Sequence, residues 1–239
     1  MCGRLNVTDN PALRDLCEQL EIDFWPHEGM RFSRFIRATE RLTIVFEQNN
    51  QRIARNALWW LLLEPDHSEL SARFRPSKYT SFNTRYDKLN VPRSAGYHAY
   101  RQQRCVIPAA GFGETQKTGG QMHYHDLIAD LSEPLAMGGL YREWHGHDRH
   151  GNVFTETSCS VVTLPPHPKL TAIHQKSTPL MLSVNDGSLG RWLDSGTTEP
   201  AQLDDLLVPK IRHSFTVYPI NKPSLYQTIS EPYNIAPDV

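Results

Sequence analysis

Arg104-Cys105-Val106-Ile107-Pro108-Ala109-Ala110-Gly111-Phe112-Gly113-Glu114 is the segment around which the rest of the chain is ordered. Its apolar run has the length and composition of a short buried strand. Glycines at 111 and 113 then punctuate a turn, allowing backbone angles or a close approach that other residues do not permit. Glu114 leaves that turn, and the expectation is a carboxyl group presented at the rim of a sheet instead of in open water. Such a group is a candidate general acid or base with a raised pKa, and an ordinary surface glutamate fits the same letters.

On the N-terminal side, residues 41–46 and 52–63 are β-rich and residues 47–51 between them carry turn chemistry, which predicts a hairpin. Residues 58–63 are apolar on both faces and so expected to be central in a sheet. Trp59 and Trp60 suit base stacking, but at least one is expected in the core. Residues 2–7 read as an opening strand. Thr8-Asp9-Asn10-Pro11 reads as a helix N-cap, with Leu13, Leu16, Cys17 and Leu20 at helical spacing over 11–20. Residues 24–35 read as a surface loop. On the C-terminal side, 122–128, 135–141 and 157–164 are three further strands, with His145, His147 and His150 in a hairpin tip. Short helices are expected at 167–174, 185–194 and 201–207, a last strand at 214–219, and a surface tail from Asn221. The pattern predicts one α+β domain over 1–239, with a mostly antiparallel, curved or barrel-like β core and helices at its periphery.

Bulk properties exclude several classes. At 239 residues with a formal net charge of −1, the chain has no global field pointing to nucleic acid or membrane. Its basic residues are 18 arginines against 7 lysines, and the arginine fork suits phosphate better than a lysine point charge does. Cys2, Cys17, Cys105 and Cys159 are widely spaced, so neither a disulfide framework nor a zinc site is indicated, and His123 with His125 is too few ligands for a metal. No apolar run has transmembrane length, and no signal peptide is evident. The expectation is a soluble monomer of the cytoplasm, nucleoid-associated if bacterial, with no metal, cofactor or membrane partner.

Chemistry enters at Met1-Cys2-Gly3-Arg4. Removal of Met1 leaves Cys2 with a free α-amine beside its thiol. The amine titrates near 7.7 to 8.0, so at neutral pH far more of it is nucleophilic than of a lysine amine titrating near 10.4. Against an aldehyde, the amine can form an imine and the thiol can add to the same carbon. Against an amide, the thiol could serve as a peptidase nucleophile. An early residue without a role also fits this tetrapeptide. Residues 71–104 carry eight basic residues and one acid, interleaved with Phe74, Tyr79, Phe82, Tyr86, Tyr97 and Tyr100. That mixture fits a single-strand groove and equally a solvated basic face. His174, ahead of a Lys/Ser/Thr turn and the apolar Pro179-Leu180-Met181-Leu182, is placed for proton transfer or for capping.

In this order the blocks resemble the SOS-response-associated peptidase family of abasic-site processing proteins. The resemblance rests on Met1-Cys2-Gly3-Arg4, Asn83-Thr84-Arg85, Arg104 to Pro108 with Gly111 and Glu114, Ile173-His174 with Pro179 to Leu182, and Tyr218-Pro219-Ile220-Asn221. It implies binding to single-stranded DNA containing abasic sites, with Cys2 joined to the ring-opened sugar as a thiazolidine. By the same resemblance Asn83 would orient the amine and the sugar, Glu114 would be general acid/base, and His174 would assist ring opening and imine formation. Arg4 and Arg85 would hold phosphates. The resemblance also implies release of Met1 by self-cleavage and a lyase or crosslink-reversal activity through the same imine. This chain departs from the family in carrying Phe35-Ile36-Arg37-Ala38-Thr39 where Tyr-Asn-x-Ala-Pro is usual. It has instead Tyr233-Asn234-Ile235-Ala236-Pro237 near its C-terminus. A thiol peptidase acting in trans and a noncovalent single-strand-binding module are the alternatives.

Overall fold

In the computed structural model, which describes residues 3–66, 73–132, 134–148 and 150–238, the chain opens with β1 (Arg4–Val7), buried along its length. The Asn10 side chain accepts a hydrogen bond from the Leu13 amide at 2.8 Å, and Pro11 occupies the first turn, so α1 (Pro11–Gln19) starts where its capping chemistry puts it. Part of the expected 24–35 loop is a strand: β2 (Ser33–Arg37) lies antiparallel on β1, with Leu5 opposite Ile36. Only Ile36 of these five residues is buried, so no period-2 signal marks the strand. β3 (Arg41–Gln48) and β4 (Gln51–Trp59) form the expected hairpin. Asn49 and Asn50 at its tip have φ of 53° and 59°, as a tight two-residue hairpin turn requires.

The apolar run 58–63 is not a single central strand. β4 stops at Trp59, which is fully buried with its indole N–H donated to the Phe82 carbonyl at 2.8 Å. Trp60 is half-buried, and its indole donates to Ser77 O at 3.2 Å. The chain then makes a separate ribbon of β5 (Leu63–Asp66) and β6 (Arg73–Pro76), followed by β7 (Asn83–Arg85) and α2 (Tyr97–Gln102). β8 (Arg104–Ala109) and β9 (Gly111–Thr118) are separated by Ala110 alone. Next come β10 (Gln121–Ala129), β11 (Leu135–His147) and β12 (Val153–Leu164), the last two longer than expected because residues 142–147, with His145 and His147, and residues 153–156 are strand. The expected helix at 167–174 is a 3-10 turn over Pro168–Leu170, and that at 201–207 is a 3-10 segment over Pro200–Leu207. β13 (Thr178–Pro179), β14 (Met181–Leu182), α3 (Ser188–Leu193) and β15 (Phe215–Ile220) follow. The tail does not merely lie on the surface: β16 (Tyr233–Ile235) pairs with β15, with Phe215 opposite Ile235.

Strands β12, β4, β3, β8 and β11 pair in that order, and β11 pairs again with β12, closing a barrel. A second sheet runs β16-β15-β10-β9-β1-β2. The expected α+β class with a mostly antiparallel, barrel-like core is therefore the observed one; β12 runs parallel to β4 and β7. Alternation along the barrel strands explains their two-sided apolarity. Ile44, Phe46, Cys105 and Ile107 enter a core shared with Leu5, Phe112 and Phe215 of the second sheet. Val45 and Val106 face the opposite way, toward Leu16 of α1, Tyr100 of α2 and Trp192 of α3.

The glycines of the opening segment lie within β9, not in a turn. A Cβ at Gly111 would collide with the Leu127 carbonyl of β10, and one at Gly113 with the Arg4 guanidinium, so close approach is what requires them. The basic stretch 71–104, whose first two residues lie outside the described ones, is not one groove-lining face. Tyr100 is core, and Arg101 stacks on Tyr97 at 3.8 Å. Arg104 is buried, donating to the carbonyls of Trp192 (2.8 Å), Tyr100 (2.8 Å), Arg101 (3.2 Å), Asp194 (2.6 Å) and Thr197 (2.7 Å). Arg104→Met removes donors from several buried carbonyls at once and is expected to destabilise the fold by about 3–5 kcal/mol. Urea unfolding checks this, and a stability loss under about 1 kcal/mol would contradict the assigned role of Arg104.

Candidate active site

The site is built where β1 runs beside β9. Arg4 lies opposite Gly113, so the chain comes into the fold next to Glu114. The Arg4 side chain crosses β9 over Gly113 and donates from Nη2 to the His125 carbonyl at 2.9 Å and the Glu114 carbonyl at 3.4 Å. Asp126 of β10 stands 3.9 Å away, accepting from the Tyr226 hydroxyl on its other oxygen. Arg4 is thus engaged inside the fold, with its guanidinium fixing the β1, β9 and β10 strands together. Cys2 lies outside the described residues.

Glu114 is 2% exposed, and its carboxylate stands 3.5 Å from Nδ1 of His174, itself 7% exposed. His174 lies in the loop that leaves β12 and returns as β13, and its backbone N–H donates to the Leu170 carbonyl at 2.7 Å. Burial pushes the Glu114 carboxyl up to about 7. Burial also drives the His174 imidazole down to about 4, with the charge of the chain's N-terminal amine and then Lys176 adding to the fall and a hydrogen bond to the Thr115 backbone opposing it. Both groups are therefore held toward their neutral forms. Near neutral pH the pair is a half-ionised carboxyl facing a neutral imidazole, a proton donor and acceptor within short reach.

Gln116, two residues after Glu114 and on the same face of β9, was invisible as a site residue in the sequence. In the orientation that satisfies its hydrogen bonds, its amide nitrogen donates to the carbonyls of Ala172 (2.8 Å) and Ile173 (3.0 Å). Its oxygen accepts from the Gln175 amide at 3.3 Å. The strand that supplies Glu114 thereby also grips the loop that supplies His174. The i, i+2 spacing from Glu114 was the available signal.

Asn83 and Arg85 are the first and last residues of β7, which runs along the end of β12 with Asn83 opposite Val161 and Arg85 opposite Thr163. Asn83 is half-buried. Arg85 is exposed and paired bidentately with Asp87 at 2.8 and 3.0 Å. Arg85 also borders a cleft of about 470 Å³ together with Tyr86, Thr163, Pro165, Lys176 and Ser177. The buried hydroxyls of Thr163 and Ser177 have no hydrogen-bond partner among the described residues. Lys176 and Ser177 follow His174 by two and three residues, so the cleft adjoins the Glu114–His174 pair through the chain. The structure thus brings Glu114 and His174 into contact, ties Arg4 to the Glu114 backbone, and sets Asn83 and Arg85 on the neighbouring strand. Among the described residues no three His, Cys, Asp or Glu side chains gather as a metal site.

The two pKa shifts make opposite stability statements. Glu114 has its folded pKa raised, so its contribution is complete below its ordinary value of 4.5 and is lost as pH rises through about 7. His174 has its folded pKa depressed, so its contribution is complete above 6.5 and is lost as pH falls toward about 4. Relative to wild type, Glu114→Gln is expected to gain about 1–3 kcal/mol between pH 4.5 and 7.5, and His174→Asn to gain stability in the acid direction. Urea titrations across that range check this; difference profiles flat with pH would contradict the burial of either charge.

No helix among the described residues is long and apolar enough to cross a membrane. Three solved structures share the fold. A protein from Bacteroides thetaiotaomicron is 16% identical with a TM-score of 0.69, over 95% of both chains. One from Bordetella bronchiseptica is 18% identical with a TM-score of 0.67, over 93% of this chain and all of that one. A phage-related protein from Bordetella bronchiseptica is 17% identical with a TM-score of 0.60, over 92% and 95%. No curated protein matches the chain. The model of the SOS response associated peptidase (SRAP) family matches residues 1–223, nearly the whole length, and the chain belongs to that family.

Proposed function

We propose that this protein is a covalent sensor of abasic sites in single-stranded DNA, with Cys2 as nucleophile after removal of Met1. The observation that carries the reading is the Glu114–His174 pair, buried, biased toward its neutral forms and set beside the point where the chain runs into β1. Imine chemistry is accelerated by such a pair. The Cys2 amine attacks the aldehyde carbon of the ring-opened sugar, Glu114 protonates the departing oxygen, and one water leaves. The thiol then adds to the imine carbon, its proton passes to the ring nitrogen, and a thiazolidine closes. His174, neutral at working pH, accepts and returns the proton that ring opening requires. In this reading Asn83 orients the amine and the sugar. Arg85 and Lys176 hold the phosphate backbone over the cleft, while Arg4 keeps β1 and Glu114 in register. Reversal through the same imine would give lyase activity. The family's name, which joins the SOS response to a peptidase, supports a role in the response to DNA damage.

The peptidase in that name favours a second reading, in which Cys2, His174 and Glu114 cleave peptides in trans. Incubation with a single-stranded oligonucleotide carrying one abasic site, beside an undamaged control, separates the two. The expected product is a heat-stable one-to-one adduct, lighter than its parts by one water, lacking Met1 and lost in Cys2→Ala. Arg85→Ala is expected to weaken undamaged-strand binding several-fold and to reduce the slope of log K against log salt by about 0.7. Absence of adduct from protein confirmed by mass to carry a free Cys2, with cleavage of a peptide library, would install the peptidase reading instead.

A further inference from the structure

We propose that residues 233–238 form a latch on the loop that carries His174, with Asp238 as a positioning residue for that histidine. The chemical consequence rests on the function proposed above; the geometry stands without it. This segment lies beyond residue 223, where the family match ends.

The loop between β12 and β13 has to leave the barrel, present His174 to Glu114 and return. Its far end is gripped by Gln116 through the carbonyls of Ala172 and Ile173. Its near end is gripped by the tail. Asp238 Oδ2 lies 3.0 Å from Nε2 of His167, and Oδ1 lies 2.7 Å from Nζ of Lys169. The same ammonium donates to the carbonyls of Ala236 (2.9 Å) and Pro237 (2.8 Å), so its bonding capacity is spent on the tail. His167 Nδ1 accepts from the Lys169 amide at 3.2 Å, which leaves the hydrogen of a neutral ring on Nε2, facing Asp238. The contact therefore needs no charge on His167.

Asp238 is itself anchored. Its carboxylate accepts from the Ile211 amide at 2.7 Å, and its own amide donates to the Ile211 carbonyl at 2.7 Å. β16 holds the segment to β15, and Ile235 enters the same core cluster as Leu170 and Ile173 of the loop. From the latch the connection to His174 is short, because the 3-10 turn Pro168–Leu170 ends in the carbonyl that receives the His174 N–H. Freeing Lys169 frees that turn, and His174 moves with it. The Tyr233-Asn234-Ile235-Ala236-Pro237 string thus supplies an edge strand followed by two carbonyls for one lysine.

The test uses the full chain with Asp238→Ala and, separately, Lys169→Met, which spares the Asp238–Ile211 bonds. The His174 imidazole is followed by NMR titration, its signal assigned by its loss in His174→Asn. The chain's N-terminal amine, Glu114 and Lys176 are the titratable groups that act on His174, and the amine is the same in every variant compared. Release of the loop is expected to move its midpoint from about 4 toward about 6.5. Adduct formation should slow roughly tenfold to a hundredfold, with undamaged-strand affinity unchanged. Gln116→Leu, releasing the other end, should move His174 in the same direction. An unmoved His174 titration in both folded tail-contact variants would overturn the latch, whatever the adduct yield. A moved titration in a protein whose wild type forms no adduct would keep the latch and remove the crosslinking reading.

Discussion

A side chain at position 111 would strike the Leu127 carbonyl and one at 113 would displace the Arg4 guanidinium, and much else follows from that. Because Gly111 leaves room for the Leu127 carbonyl and Gly113 for the Arg4 guanidinium, β9 lies tight between β10 and β1. Arg4 can then cross the strand and bond to carbonyls on its far side. The next residue is Glu114, which inherits a buried setting in which dehydration outweighs the pull of the chain's N-terminal amine and of Arg4 on its carboxylate. A larger residue at 113 would push Arg4 outward, and with it the dehydration that gives Glu114 its raised pKa.

Distance alone would make Glu114 and His174 an ion pair. At 3.5 Å the Coulomb attraction in a medium of effective dielectric constant near 20 is about 5 kcal/mol, but burying two ions costs several kcal/mol each. The two costs together exceed the attraction, and both groups move toward neutrality. That outcome suits proton transfer better than a locked ion pair would, since neither partner holds its charge strongly in the working pH range.

What was legible in the sequence follows from how many residues carried each signal. The 41–59 hairpin and β8 were visible because their whole length is apolar or alternating, and α1 because its cap and its apolar stripe agree. β2 and β16 were not visible. Each buries a single residue, Ile36 or Ile235, and takes its place from pairing with a neighbour already in position. Glu114 and His174 could be singled out from local punctuation, whereas their contact depends on the 3-10 turn, Gln116 and the tail, none of which is local. Arg104 and Arg85 illustrate the limit of charge counting. Both sit in one basic stretch, yet one is spent inside on five carbonyls and the other stands in solvent.

The excess of arginine over lysine has the same explanation. Arg4, Arg101, Arg104, Arg142 and Arg212 all donate to backbone carbonyls of other segments, tying strands, helices and loops together with forked donors a lysine could not match. Part of the composition that suggested phosphate therefore describes structural work. Arg85 is different: its partner Asp87 is a near neighbour, and the pair is well exposed, with side chains 63% and 35% accessible. An exposed pair of this kind is worth about 0–1 kcal/mol, so a phosphate could replace Asp87 at little cost. Lys176 on the same cleft adds a second positive charge that Asp87 does not neutralise. In the function proposed above, Arg85 can therefore exchange one acid for one phosphate, whereas Arg104 is buried with its guanidinium engaged on five carbonyls.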